Sequence, residues 1–341
     1  MKKRYYLLFL FIILLAGCVH DYPGMTADGE EGVDPTLVQV NTEVTLDLEL
    51  VPLEIITGKA RSGTTKAAAD TYRRRFIIEA RRDGKVAQRQ VTVPEEAEES
   101  GSGKITLPVN LRLHALEYTL AVWTDYVAAG TEADLYYNTE DLQQVSCTTP
   151  YTGNTPYRDC LYGTVLLDLR DYRNEWNAKV QVQVDMVRPL AQYEIIATDV
   201  KDFLAESQRQ RETGTAHSVT FSYGFYFPLG FNVLTGKPQN SQMNVAFTAP
   251  LTVPDDGREE YTIGTDFIFV NGEESYVPLE IRIADSDGYV VSLTTGLNVP
   301  YQRGHLTTLR GRFLTSKVSP GVGINPDFDD DDINIDLDDL H

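Results

Sequence analysis

Apolar residues recur at every second position along almost the whole chain, and that period decides what it can fold into. Val44, Leu46, Leu48 and Leu50 alternate with Thr45, Asp47 and Glu49. Ile105, Leu107, Val109, Leu111 and Leu113 repeat the pattern, as do Val180, Val182, Val184 and Met186. Val219, Phe221, Tyr223, Phe225 and Phe227 follow, then Leu279, Ile281 and Ile283. Such alternation turns one face of a strand to a core and the other to water, the signature of antiparallel sheets. Turn residues separate the runs: Asp-Gly in RRDGK (81–85) and DSDG (285–288), with PDDG (254–257) and VNGE (270–273) reading likewise. Gly, Asn and Asp accept the positive φ of hairpin turns. Six or seven runs fall on each side of the middle, the strand count of a β-sandwich. The expected fold class is therefore all-β, two β-sandwich domains in tandem.

Helical signal is scarce, one or two short helices at most. In ATDVKDFLAESQRQRETG, Asp199 is placed to cap, Val200, Phe203 and Leu204 share a face, and Gly214 ends the run. EADLYYNTEDLQQV is a weaker second candidate. VPEEAEESGSG (93–103) reads as a solvated acidic loop. DLRDYRNEWNAK interrupts the strand pattern before VQVQVDMV, which places a domain boundary between residues 177 and 178. Arg188-Pro189 then ends or bulges that strand, because proline has no N–H for a ladder.

The first residues carry a different message. Lys2, Lys3 and Arg4 precede an apolar run from Tyr5 to Gly17, too short for the roughly 20 residues of a membrane-spanning helix. A basic start, a short apolar core and small residues before a cut describe a secretory signal peptide. Leu15-Ala16-Gly17-Cys18 resembles a bacterial lipobox, in which the Cys18 thiol is acylated (palmitate is one such chain) and becomes the mature N-terminus. Several acyl chains anchor far more firmly than one. The expectation is a signal peptide over 1–17, an acylated Cys18 with a polar linker over 18–35, domains over 36–177 and 178–320, and a tail over 321–341.

The formal net charge is −20. That excludes nucleic acid and anionic lipid surfaces as natural partners. Eight aspartates crowd the end in NPDFDDDDINIDLDDL. The remaining cysteines, Cys147 and Cys160, lie in SCTTPYTGNTPYRDC, a loop-like stretch. In an extracytoplasmic chain they are either a disulfide, contributing on the order of 3 kcal/mol, or two buried thiols.

Catalytic patterns are missing. His20, His114, His217, His305 and His341 form neither HExxH nor an i, i+4 pair, and no nucleophile elbow or phosphate-binding glycine loop occurs. The aspartates do not match a twelve-residue calcium loop. The expectation is a non-enzyme with no metal and no cofactor. Aromatics are plentiful, with 19 tyrosines. Trp123 in VWTDYV and Tyr157 in YTGNTPYRDCLYG are candidates for a glycan-stacking platform; the alternative is sandwich core, with Tyr bridging core and water.

The lipobox, GVDPTLVQV, YTLAVWTDYV, GNTPYRDCLYG, VRPLAQYEIIATDVKDFL and NVPYQRGHLTTLRGRFLT, in that order, resemble the fimbrillin-like, fimbrial-anchor lipoproteins of Bacteroidales. The resemblance spans nearly the whole mature chain. It implies two transthyretin-like antiparallel β-sandwich (Greek-key) domains at the base of a type V fimbrium. There an outer-membrane subunit, lipid-anchored at the cell surface, holds a fimbrial shaft subunit. It also implies β-strand addition, in which shaft subunits lose a first strand after an Arg or Lys and accept a neighbour's strand. An anchor keeps its own first strand, and Val44–Leu50 is the candidate plug. Arg61 and Arg73 to Arg75 are candidate protease sites. Ile333, Ile335 and Leu337 alternate with Asn334 and Asp336, a candidate donor strand unless the tail simply stays solvated. A surface glycan-binding lipoprotein of a polysaccharide-uptake system is the other reading.

Overall fold

The computed structural model describes residues 26, 29, 32–47, 71–94, 104–209, 216–316 and 333–336. The chain is all-β, with strands β1 Gln39–Asp47, β2 Tyr72–Arg82, β3 Lys85–Thr92, β4 Lys104–His114, β5 Glu117–Ala128, β6 Tyr137–Asn138, β7 Val145–Cys147, β8 Leu161–Asp168 and β9 Lys179–Asp185 in its first half. The second half holds β10 Leu190–Ala197, β11 His217–Tyr223, β12 Phe227–Asn232, β13 Lys237–Gln242, β14 Ala246–Leu251, β15 Tyr261–Phe269, β16 Glu274–Ala284, β17 Val290–Gln302 and β18 Leu306–Gly311. Among the described residues the last strand, β19, runs Ile333–Asp336, and one α-helix, α1, covers Val200–Arg209.

The two halves have the same architecture. The first stacks sheet β4-β1-β9 on sheet β3-β2-β5-β8; the second stacks β15-β10-β18 on β14-β11-β16-β17, with β19 added outside β18. Strand for strand, β1 to β5, β8 and β9 correspond to β10, β11, β14, β15, β16, β17 and β18. Within each sandwich the first and last strands pair in parallel, β1 with β9 and β10 with β18; β19 joins β18 in parallel too, and the other pairs are antiparallel. Period-two alternation is the same for either direction, so the pattern alone could not show this.

Each half carries one extra hairpin, and the two hairpins pair with each other in a sheet of order β13-β12-β7-β6. At that crossing Gly230 faces Ser146 and Phe231 faces Val145. A Cβ on Gly230 would lie 2.8 Å from the Val145 carbonyl oxygen, which explains the glycine.

Three apolar clusters follow. One fills the first sandwich, around Val40, Leu46, Phe76, Leu120 and Val184. Another fills the second, around Tyr193, Phe221, Ile281 and Leu309. The third lies between the halves and joins Ile77, Trp123 and Tyr137 to Leu190, Phe231, Phe267 and Phe269. Strands β2 and β5 therefore have cores on both faces, and their sequences become nearly continuous apolar runs (FIIEA, LAVW).

Several local expectations need correction. VQVQVDMV does not open the second sandwich: β9 pairs with β1, so the first sandwich extends to Asp185. EADLYYNTEDLQQV holds β6 and turns, with no helix. Helix α1 buries Val200 and Phe203 as expected, but Asp199 does not cap it. Its carboxylate instead accepts the Leu314 and Thr315 N–H groups at 2.8–3.2 Å, tying the chain after β18 to the helix start. The β11 alternation breaks after Tyr223, and Phe225 turns outward. The hairpin at 81–85 is as read, with Asp83 at φ 52° and Gly84 at φ 73°.

Candidate functional site

The features that bear on assembly are the first strand and the tail. Strand β1 is central in its sheet, hydrogen-bonded to β4 on one side and β9 on the other. Val40, Val44 and Leu46 are fully buried along it, and Val38 just before it. At about 1.5–3 kcal/mol for each buried aliphatic side chain, these four contribute roughly 6–12 kcal/mol of burial. Removing it would also open both ladder edges. The strand that holds the plug position ends at Asp47; Leu50 is outside the described residues.

At the other end of the chain, Ile333–Asp336 lies parallel to β18, with Thr307 opposite Ile333 and Arg310 opposite Asp336. In this arrangement the backbone of 333–336 extends the chain's own sheet. Leu337 lies outside the described residues, as do Cys18 and Arg61.

Arg73–Arg75 are not an accessible cleavage site. They sit in β2, paired with Val127, Tyr126 and Asp125 of β5. Arg75 makes a two-pronged ion pair with Asp125 at 2.9 and 2.7 Å and also donates to the Glu132 carbonyl at 2.7 Å. Arg74 donates to the Tyr126 hydroxyl at 3.0 Å and approaches Asp159 at 3.5 Å, its guanidinium 4.4 Å from the Tyr126 ring. A protease needs an extended, exposed segment, and this one is held in the β5 ladder with Arg74 and Arg75 buried and Arg73 half-buried.

Charge is concentrated at the seam between the halves. Arg158, which follows the loop GNTPY, reaches across to Asp266 on β15 at 2.9 Å. Its guanidinium also contacts the Tyr151 hydroxyl and lies 4.1 Å from that ring. Asp266 accepts further from Tyr151 at 2.8 Å, Tyr223 at 2.6 Å and the Phe267 N–H at 2.8 Å. Burial raises the Asp266 carboxyl above the usual carboxylate range, with Arg158 and the tyrosines opposing. Burial likewise drives Tyr151 and Tyr223 well upward, so both hydroxyls stay protonated donors. Asp159 is bound by Arg188 at 2.7 and 3.2 Å, on the segment connecting β9 to β10. Asn154 closes the edge of β15 by exchanging hydrogen bonds with Thr265. The ion pairing at this seam had no sequence signal: Arg188 was read only as the end of a strand, Tyr223 only as part of an alternating run, and GNTPYRDCLYG for its aromatics and its cysteine.

Cys147 and Cys160 are free thiols in the structure. The Cys147 sulfur accepts from Arg158 at 3.2 Å, and Cys160 is fully buried. Burial raises the pKa of both, so neither is a ready nucleophile.

Trp123 and Tyr157 do not form a platform. Trp123 is 0% exposed, wedged edge-on to Tyr137 with ring centroids 5.5 Å apart and 6.2 Å from Phe231. Tyr157 is 7% exposed and packs against Tyr72 at 4.1 Å and Tyr126 at 5.3 Å. The bland reading of these aromatics, as core, is the one realised here. Exposed aromatics occur elsewhere, at Trp176, Phe225, Tyr226 and Tyr289.

Among the described residues no group of three or more His, Cys, Asp or Glu is placed to hold a metal ion. DSDG is a hairpin turn, with the Asp285 carboxylate accepting the Asp287 and Tyr289 N–H groups. No helix among them is long and apolar enough to cross a membrane.

A family model described as a family of unknown function, DUF6562, matches residues 35–340. The chain belongs to that family. No curated protein matches this DUF6562 chain. Solved structures similar to it include the fimbrial anchor protein Mfa2 from Porphyromonas gingivalis, at 11% identity and a TM-score of 0.39, covering 75% of this chain and 82% of that one. A fimbrial assembly protein from Parabacteroides distasonis aligns at 12% identity and a TM-score of 0.36, covering 83% and 93%. A candidate cell adhesion protein from Bacteroides ovatus aligns at 12% identity and a TM-score of 0.43, covering 81% and 93%. The all-β description of the DUF6562 chain stands on its own strand pairing.

Proposed function

We propose that this DUF6562 protein is a non-catalytic outer-membrane lipoprotein of the cell surface, an anchor or accessory subunit of a fimbrium that joins its neighbours by β-strand addition. The observation that carries the reading is the position of β1. A subunit that must stay attached to its lipid has to keep its first strand, and here that strand is central, buried and bonded on both edges. It begins 21 residues after the lipobox cysteine, so cleavage beyond it would sever the anchor. The burial of Arg74 and Arg75, and the pairing of Arg73–Arg75 with β5, disfavour that basic run as a cutting site in the folded chain. The tail supplies the second half of the mechanism, because 333–336 already adopts a strand on a sheet edge. Main-chain bonds of that kind supply affinity without any catalytic group.

The test is to express the full chain and its Cys18→Ala variant in a fimbriated host lacking the native copy. Cys18→Ala should lose acylation, by mass spectrometry of the mature N-terminus, and should shed fimbriae into the medium. Fimbriae that remain cell-bound, or a wild-type N-terminus that begins after residue 61 without lipid, would overturn the anchor reading.

A further inference from the structure

Four aromatic residues fall within five positions at Tyr223–Phe227 (YGFYF), and the second core uses only two of them. Tyr223 and Phe227 are buried and stacked, ring centroids 4.1 Å apart. The chain between them is pinned outward. Gly224 donates its N–H to the Pro278 carbonyl at 2.8 Å, and a Cβ there would meet the proline ring at 3.0 Å. Phe225 then takes φ 55°, a left-handed conformation that bulky residues rarely adopt. As a result Phe225 is 75% exposed and Tyr226 68%.

The neighbouring strand completes a patch. Phe227 pairs with Gln242, and the Tyr223 N–H donates to the Val245 carbonyl, so Met243 and Asn244 lie beside Phe225 and Tyr226. Met243 is 58% exposed, and Asn240, Gln242 and Asn244 are exposed as well. The segment itself is short of charge. Between Ser218 and Pro254 the single charged side chain is Lys237, in a chain that is 23% charged and carries a net −20.

We infer that this patch binds a neutral carbohydrate. A pyranose has an apolar C–H face and a rim of hydroxyls. The rings of Phe225 and Tyr226 match the face, and the amides of Asn240, Gln242 and Asn244 supply both donors and acceptors for the rim. The pinned turn presents the two rings with little freedom left to lose on binding. A protein partner is the competing occupant, because interface cores are also rich in aromatics and Met and poor in carboxylates; the absence of Arg and the row of side-chain amides beside the rings favour the sugar. An acidic glycan is disfavoured by the net charge of the whole molecule. The inference does not depend on the anchor reading.

Affinity electrophoresis of the full chain through native gels containing dextran, yeast mannan, laminarin or galactan tests it. At least one of these should retard the protein, with affinity falling at least tenfold in Phe225→Ala and in Tyr226→Ala. Tyr289→Ala, which removes an exposed aromatic elsewhere, should leave retardation unchanged, and circular dichroism should show all three variants folded. Four outcomes overturn the inference: no retardation in any gel; retardation that survives both patch substitutions; equal loss in Tyr289→Ala; or patch substitutions whose only effect is reduced self-association in sedimentation.

Discussion

Replacing Asp266 by Ala would leave the Arg158 guanidinium buried at the seam without its carboxylate. An uncompensated buried charge costs about 3–5 kcal/mol. Tyr223 and the Phe267 N–H would lose their acceptor as well, at about 1–3 kcal/mol each, with incomplete additivity. A loss of roughly 5 kcal/mol or more is expected, a large part of the 5–15 kcal/mol typical of a domain. Arg158→Met should cost less, about 2–3 kcal/mol at pH 5, because Asp266 keeps its tyrosine and backbone donors and can take up a proton. The sign of its pH dependence follows from the raised Asp266 pKa. A carboxyl whose folded pKa lies above its unfolded value favours the fold most below that unfolded value, and the benefit is lost as pH rises through the folded pKa. Removing Arg158, the largest influence opposing the rise, extends that losing window upward at up to about 1.4 kcal/mol per pH unit. Urea unfolding followed by the fluorescence of buried Trp123 measures all three variants, including Arg158→Met/Asp266→Ala. The reasoning fails if Asp266→Ala costs under about 1 kcal/mol, or if the two single effects add to within about 0.5 kcal/mol in the double variant.

Thr42→Pro should cost about 3 kcal/mol or more, since Thr42 is paired with Leu111 on β4 and with Val180 on β9; accelerated limited proteolysis of the first half would show it. Gly264→Ala should lower the thermal midpoint, with about 1–3 kcal/mol lost, because its Cβ would lie 2.2 Å from the Phe221 ring in a filled core. Arg170 holds Asp168 down to about 2 through side-chain and backbone hydrogen bonds, so Asp168 stabilises the fold above its unfolded value of 3.8 and ceases to as pH falls through 2. Asp168→Asn should flatten acid unfolding across that window by under about 1 kcal/mol, solvent screening limiting an exposed pair. Deleting 325–341 should leave the fold intact by circular dichroism but raise self-association in sedimentation, since it bares the edge of β18.

The hairpins at 81–85 and 285–288 were legible because Asp-Gly is read locally: the positive φ of Asp83 and Gly84 is a demand that few residue types meet. Helix α1 was legible for the same reason, from Val200 and Phe203 on one face. Asp199 shows the limit. A carboxylate before a helix is a reasonable cap, but two N–H groups from residues 314 and 315, more than a hundred positions away, were aimed at it first. Trp123 and Tyr157 failed as a platform because exposure is not a local property; both lie where another part of the chain covers them. Phe225 failed in the opposite direction, continuing the alternation on paper while the Gly224–Pro278 contact turned it to water.

Side-chain period and turn chemistry are short-range quantities, and from them alone the chain was committed to strands, to two sandwiches and to its hairpins. Strand partners are another matter. That β1 pairs in parallel with β9, that the extra hairpins of the two halves join as β7 and β12, and that Arg158 finds Asp266 depend on which distant surfaces meet. An alternating strand offers the same apolar face and the same backbone groups to any neighbour in either direction. Only the closing of both cores, and the cost of leaving a buried charge alone, selects one arrangement.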